Sequence, residues 1–390
     1  MIRKLKDLDL AGKKVFVRAD FNVPIQQGKI TEMHRIESTL PTLSFVLGKA
    51  EKLFLASHLG RPGGKRDPQW SLAPVGDALE KLLSSPVTLA PDCVGAEVEA
   101  LARDPGQRIV LLENLRFHKE EEKNDPGFAR QLASLAEVYV NDAFGAAHRA
   151  HASTAGMAAF VREKGAGLLL QKELDYLGKL LGAPERPFIA VLGGAKVSDK
   201  IGVIKNLMPK LDGLLIGGGM AYTFLKAKGV SIGRSLVEEA HVDLARELIA
   251  QAAKSGIALL LPVDHVAAKG RDQNPVATGE SIPENLMGLD IGPKTRELFI
   301  RELRKAKMVL WNGPIGLFEE KNFSGGTFDI ARALADSGAV VVVAGGDTVA
   351  AVMAAGVEKR ITHLSTGGGA TLEFLEGKKL PGIEALEVSR

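Results

Sequence analysis

The sequence predicts an α/β protein of two domains, each a mostly parallel sheet covered by helices on both faces. Three observations carry that expectation. Short apolar runs recur along the whole chain, helix-length amphipathic segments separate them, and the residues that follow the runs differ in kind between the two halves. At 390 residues the chain exceeds one ordinary core, so two domains are expected.

The apolar runs are Val15–Val17, Leu53–Ala56, Ile109–Leu112 and Val138–Val140, then Phe188–Leu192, Leu214–Ile216, Ala258–Leu261, Met308–Leu310 and Val340–Val343. Runs of this kind, without strict alternation, suit strands buried on both faces. Between them Ser71–Leu83, Phe128–Ala136, Val242–Ala253 and Thr295–Lys305 carry apolar residues at helical spacing. Gln171–Leu181 is also helical in spacing, and 183–187 contains two prolines, so 171–187 is the expected interdomain helix and linker. The domains are then 1–170 and 188–370.

Parallel sheets collect ligands beyond the carboxyl ends of their strands. In the first half those ends are polar and basic: Arg18-Ala19-Asp20-Phe21-Asn22, Ser57-His58-Leu59-Gly60-Arg61, Glu113-Asn114-Leu115-Arg116, and Asn141-Asp142 leading to His148-Arg149 and His151. Arg35, His58, Arg61, Arg116 and Arg149, with His148 and His151 as further candidates, suit a small anion bearing phosphate and carboxylate. Asp20 and Asn22 suit its hydroxyl. His58 reads either as a general base or as a structural, hydrogen-bonding histidine.

In the second half the ends are glycine-rich: Gly193-Gly194, Gly217-Gly218-Gly219, Asn312-Gly313, Gly345-Gly346-Asp347 and Gly367-Gly368-Gly369. Glycine lets a backbone approach phosphate, and a helix start offers free amides. Lys196 and Lys200 follow the first pair, and Asp347 beside Thr348 suits a Mg²⁺ that bridges phosphate oxygens.

Composition excludes several classes. Hydrophobic residues are 45% and charged residues 25%, the net charge is only +3, and no stretch has the length of a membrane span. Neither nucleic acid nor membrane is an expected partner, and the expected compartment is the cytoplasm. Cys93 is the single cysteine and is expected to be a packed thiol. No G-x-x-x-x-G-K-[ST], no G-x-G-x-x-G after a strand and no protein-kinase signature occurs; His148-Arg149 is followed by alanine. No His, Cys and carboxylate grouping has the spacing of a transition-metal site, and no hydrolase triad stands out. A two-domain anion- or nucleotide-binding protein without catalysis, and a dinucleotide-dependent dehydrogenase, remain alternatives on these features.

Eight strings in order complete the reading: VFVRADFNVP at 15–24, SHLGRP at 57–62, LLENLRFHKEEE at 111–122, NDAFGAAHRAHAST at 141–154, LGGAKVSDKI at 192–201, WNGPIGLFE at 311–319, GGDT at 345–348 and STGGGA at 365–370. Together they resemble the phosphoglycerate kinases over essentially the whole chain. Ala19 and Ala146 stand where valine and threonine are more usual. The resemblance implies that family's Rossmann-like two-domain fold, and reversible phosphoryl transfer between 1,3-bisphosphoglycerate and ADP, giving 3-phosphoglycerate and ATP. It implies that Asp20, Asn22, Arg35, His58, Arg61, Arg116 and Arg149 hold the glycerate ligand. The nucleotide would lie on Lys200, Gly217, Gly218, Gly219, Gly292, Asn312, Glu319, Gly345, Gly346, Asp347 and Thr348, with Asp347 as the Mg²⁺ ligand. Arg35, Lys196 and the amides near Gly368 would act on the phosphoryl group in flight, with domain closure and no general base. It further implies a monomer whose C-terminal segment, 371–390, packs back on the first domain.

Overall fold

The computed structural model describes residues 1–387. Its strands are β1 (Lys14–Arg18), β2 (Ile25–Gln26), β3 (Lys29–Ile30), β4 (Lys52–Ala56), β5 (Thr88–Leu89), β6 (Ile109–Leu111), β7 (Val138–Asn141), β8 (Glu163–Ala166) and β9 (Phe188–Leu192). They continue as β10 (Gly213–Ile216), β11 (Ala258–Leu260), β12 (His265–Ala268), β13 (Val276–Thr278), β14 (Met287–Ile291), β15 (Met308–Asn312), β16 (Val340–Ala344) and β17 (His363–Leu364). All nine apolar runs of the sequence fall on strands, with Leu112 and Leu261 just past the ends of β6 and β11. The short strands β5, β8 and β17 were not expected; they are brief and carry polar residues, so they have no apolar run to betray them.

The chain divides into two compact units, Met1–Asp175 together with the segment from Lys379, and Tyr176–Lys378. The division falls inside the helix Leu168–Leu181, and the helix Gly369–Leu375 stays with the second unit. The returning segment therefore starts at Lys379, later than the expected 371, because Gly369–Leu375 packs on the helix Ile201–Leu207. The part of that segment at 388–390 lies outside the described residues.

In the first unit six parallel strands run in the order β5-β6-β4-β1-β7-β8. Val15 and Val17 join a core with Leu53, Leu55, Val138 and Val140, and with Ile36 and Leu43 of the helix His34–Leu47. The alternate residues Phe16, Phe54, Val110 and Tyr139 are just as inaccessible. Burial on both faces explains why these strands read as continuous apolar runs.

In the second unit the order is β11-β10-β9-β15-β16-β17, again all parallel. Val191, Trp311 and Val343 face a core completed by Phe299 and Leu303 of Pro293–Leu303 and by Ile330 and Leu334 of Gly325–Ala335. A small antiparallel sheet, β13-β12-β14, is added beside it and was not anticipated.

Three of the expected helices begin earlier than their apolar spacing suggested, Leu168–Leu181 among them, and in the other two proline explains it. Asp125 caps Pro126–Ala133 by accepting from Phe128 N at 2.9 Å, and Pro293 follows Gly292 as the first helical residue. Proline has no amide hydrogen to leave unpaired and its φ is already helical, so it starts a helix before the apolar stripe begins.

Candidate active site

In the first unit β1 and β7 are neighbours from which the chain crosses to opposite sides of the sheet, so the crevice beyond Arg18 and Asn141 is a topological switch point. Asp20 lies there, 6% exposed, and pairs with Arg35 at 2.9 Å. Arg35 sits in the first turn of His34–Leu47, so its position is set by the helix. Burial alone would raise the Asp20 carboxyl, but Arg35 above all, with Arg18 beyond it, brings it down to about 2.

Asn22 and Arg116 are linked to the same rim through one glycine. Gly60 N donates to Asn22 Oδ1 at 2.8 Å, and Gly60 O accepts from Arg116 Nη1 at 2.7 Å. Arg116 is 4% exposed, with Glu122 3.3 Å away; burial first, and then the like charge of Arg149, bring its guanidinium down to about 10. Arg149 is half-buried and donates from Nε to His148 Nε2 at 3.1 Å. Arg61 follows Gly60 and is exposed to solvent.

His58 is buried at this rim, and its Nδ1 lies 3.2 Å from a guanidinium nitrogen of Arg18. Burial, and then Arg18, Arg116 and Arg35 against the opposing pull of Asp20, hold its pKa well below the usual range. A ring so placed is a weak base, and its Nδ1 is engaged with Arg18. His151 is likewise brought down to about 3, by burial first and then by Arg18 and Arg116. His58 and His151 therefore add little positive charge to the rim beside its arginines.

Arg18, named at a strand end in the sequence but not among the ligand-binding candidates, proves central to the packing of this rim. It is fully buried, donates to Ser153 Oγ at 2.8 Å and also bonds the carbonyl of Ala19. Ser153 in turn donates to the buried carboxylate of Glu121, through Oγ at 2.5 Å and N at 2.9 Å.

In the second unit the switch point lies between β9 and β15, and glycines crowd it for a reason different from the one expected. A Cβ on Gly313, whose φ is +100°, would meet Gly193 O at 2.2 Å; one on Gly218, at φ +63°, would meet Gly194 N at 2.7 Å. Gly194 N donates to Pro314 O at 2.8 Å, Gly218 N to Ile315 O at 2.8 Å, and Met220 N to Gly194 O at 3.0 Å. These loops interlock backbone to backbone, and only glycine fits between them.

The interlocked loops form one wall of a cavity of about 240 Å³. Gly194, Gly218, Gly219, Glu319 and Asp347 line it, together with apolar Leu236, Pro262, Leu289 and Ile315. Lys200, Gly217, Gly292, Asn312, Gly345, Gly346 and Thr348 are not in that lining. Asn312 accepts from Lys200 Nζ and donates to Ala344 O at 2.8 Å, while Thr348 Oγ1 accepts from Gly313 N at 2.7 Å. Gly217 packs on Ile315, and Gly292 on the Asp264 carboxylate that caps Pro293–Leu303. Burial lowers the Lys200 ammonium pKa, against the opposing field of Asp199 and Asp347. Lys196 is exposed at the end of the Gly193-Gly194 loop, and Gly368 (φ +52°) precedes the helix Gly369–Leu375.

The family model described as phosphoglycerate kinase matches residues 5–378. The chain belongs to the phosphoglycerate kinase family. A phosphoglycerate kinase of Anaeromyxobacter dehalogenans is 57% identical over 99% of both chains, and one of Koribacter versatilis 56% identical over 98% of both. The solved structure of the phosphoglycerate kinase from Coxiella burnetii, 42% identical, superposes with a TM-score of 0.89 over 99% of both chains. This is a family of enzymes, glycolytic kinases that transfer a phosphoryl group.

Phosphoglycerate kinases act on a nucleotide substrate, generally with Mg²⁺. Asp347 fits a hard cation of that kind. Its carboxylate is exposed in the first turn of the helix Gly346–Ala354 and lines the cavity, where phosphate oxygens and water can complete an oxygen shell. A second grouping was not legible from spacing. The adjacent Asp92 and Cys93, with His118 distant in sequence, place a carboxylate oxygen, a thiol and an imidazole nitrogen within 4.8 Å of one another. No helix among the described residues is long and apolar enough to cross a membrane.

Proposed function

We propose that this chain transfers a phosphoryl group reversibly between 1,3-bisphosphoglycerate and ADP, giving 3-phosphoglycerate and ATP. The observation that carries the reading is the contrast between the two switch points of one chain in this family. One is ringed by guanidiniums bonded to Asp20 and to Gly60, whose amide in turn holds Asn22; the other opens on an apolar, glycine-walled cavity with a carboxylate at its mouth.

Asp20, Asn22, Arg35, His58, Arg61, Arg116 and Arg149 hold the glycerate. Arg35, Arg61, Arg116 and Arg149 bind its phosphate and carboxylate oxygens, and Asp20 and Asn22 its hydroxyl. With Nδ1 accepting from Arg18, neutral His58 keeps its proton on Nε2 and donates from there. The nucleotide base lies against Leu236, Pro262, Leu289 and Ile315, with Glu319 accepting from the ribose. Its phosphates meet Lys200, Asn312, the loop at Gly217, Gly218 and Gly219, and the helix start at Gly345, Gly346, Asp347 and Thr348. Asp347 holds the Mg²⁺, which supplies charge neutralisation to the phosphate oxygens when bound.

The acceptor in one direction is a carboxylate and in the other a diphosphate, both ionised at neutral pH, so no general base is needed. His58, held neutral and weakly basic, is consistent with that. The protein's part is alignment and charge stabilisation of the transferring group, assigned to Arg35, Lys196 and the amides near Gly368. Donor and acceptor are held by different units, so closure of the two brings them in line and excludes water. The resemblance also favours a cytoplasmic monomer. A coupled assay of ATP consumption with 3-phosphoglycerate tests the reading. Turnover that depends on both substrates supports it; binding of either without turnover replaces it with an anion clamp.

A further inference from the structure

One cluster in the first unit has no part in that chemistry. Asp92 and Cys93 lie in the loop after β5, and His118 follows the turn Leu115–Phe117. Asp92 Oδ1 accepts from Cys93 N at 2.7 Å and lies 2.6 Å from His118 Nε2. Cys93 is 0% exposed, and its Sγ donates to Glu113 O at 2.9 Å. The His118 ring is fixed by stacking on Phe128, with centroids 4.8 Å apart and planes at 27°. The Asp92 and His118 side chains are 44% and 24% exposed, so one side of the cluster opens to water.

We propose that Asp92, Cys93 and His118 form a binding site for a divalent transition-metal ion of borderline softness, with Zn²⁺ as the fitting ion and solvent at the remaining position. A thiolate, an imidazole and a carboxylate are a donor set for such an ion, whereas Mg²⁺ and Ca²⁺ favour oxygen alone. The pair of anionic donors matches a double positive charge.

On binding, the sulfur–metal bond replaces the S–H bond, the proton passes to solvent, and the ion takes the place of the Asp92–His118 contact. No electron is exchanged. His118 is also the residue before the helix Lys119–Glu122, whose Glu122 lies 3.3 Å from Arg116. An ion held at His118 therefore anchors the segment that presents Arg116 to the glycerate rim.

Metal-stripped full-length protein titrated with Co²⁺ tests this, because a cobalt–thiolate bond gives a near-ultraviolet charge-transfer band. An ion held only by Asp347 gives none. The expected result is such a band, saturating at one equivalent and abolished by competing Zn²⁺. In Cys93→Ser and in His118→Gln, Zn²⁺ affinity should fall about 100-fold or more, the upper end of the loss expected even for a supporting residue. If Cys93→Ser does not fold, His118→Gln and Asp92→Asn, at partly exposed positions, carry the comparison. A cobalt spectrum without the thiolate band, or Zn²⁺ affinity unchanged in His118→Gln, overturns the proposal.

Discussion

Arg18 and His58 meet inside the first unit, where a guanidinium nitrogen donates to Nδ1 of the ring across 3.2 Å. The arginine is fully buried, bonds the carbonyl of Ala19, and reaches the buried Glu121 through Ser153. One side chain thus sets the tautomer of His58 and offsets a carboxylate that has no access to water.

Arg18→Met should therefore cost about 3–5 kcal/mol of stability, the range for removing one partner of a buried charge network. Arg18→Lys keeps the charge but not the fork, and should recover part of that loss. Urea unfolding of both variants measures it. Equal stabilities for the wild type and Arg18→Met would show that Glu121 is balanced by something else.

Arg61 and Lys196 should separate binding from chemistry. Both are exposed, so truncating either leaves the fold intact. Arg61→Ala is expected to weaken 3-phosphoglycerate binding more than nucleotide binding. Lys196→Ala is expected to lower kcat by about 10²–10³, typical of losing one preorganised charge-stabilising group, with little change in nucleotide affinity. Calorimetry and steady-state rates read the two effects. A Lys196→Ala enzyme with wild-type turnover removes Lys196 from the phosphoryl group.

How much of this was legible in the chain follows from which properties are local. Val15–Val17 and Val340–Val343 announce strands because a strand buried on both faces needs an unbroken apolar run. Thr88–Leu89, Glu163–Ala166 and His363–Leu364 are too short and too polar to do so, and tertiary pairing alone makes them strands. The arginines of the rim were visible at strand ends, but the neutrality of His58 and His151 depends on burial and on guanidiniums brought from other strands. Glycine was visible too, yet its reason was not. Gly193, Gly218 and Gly313 are needed where three loops touch, and contact between loops leaves no mark on local sequence. The meeting of Asp92–Cys93 with His118 is hidden for the same reason.

Gly313 and Gly346 should respond oppositely to alanine. At Gly313 the new Cβ would lie 2.2 Å from Gly193 O with φ at +100°, so backbone must move. The loss should be roughly 2–4 kcal/mol, combining strain and overpacking, with weaker nucleotide binding because the loop at 193–195 is displaced. Gly346 opens a helix and has nothing within 4 Å of a built Cβ, so Gly346→Ala should leave stability unchanged or raise it. Thermal unfolding of the pair decides the matter, and comparable losses at both positions would refute the backbone-contact explanation.

Asp142 should make stability depend on pH in the opposite sense to Asp20 at the same switch point. Its side chain is fully buried and accepts from Leu170 N at 3.0 Å, at the start of Leu168–Leu181. Burial raises its carboxyl to about 6 from 3.8, against the lowering effect of hydrogen bonds from Thr42, Leu170 and Leu169. Between those values the folded chain holds the proton more tightly than the unfolded one. The contribution is therefore complete below about 4 and is lost as pH rises through about 6, amounting to roughly 3 kcal/mol. Asp20 acts in the opposite sense, since a carboxyl brought down to about 2 contributes above 3.8 and fails only in stronger acid. Urea unfolding of the wild type and of Asp142→Asn at a series of pH values isolates the first effect. The wild type should lose stability relative to the variant as pH rises from about 4 to 6, and parallel curves across that interval would show that Asp142 does not titrate there.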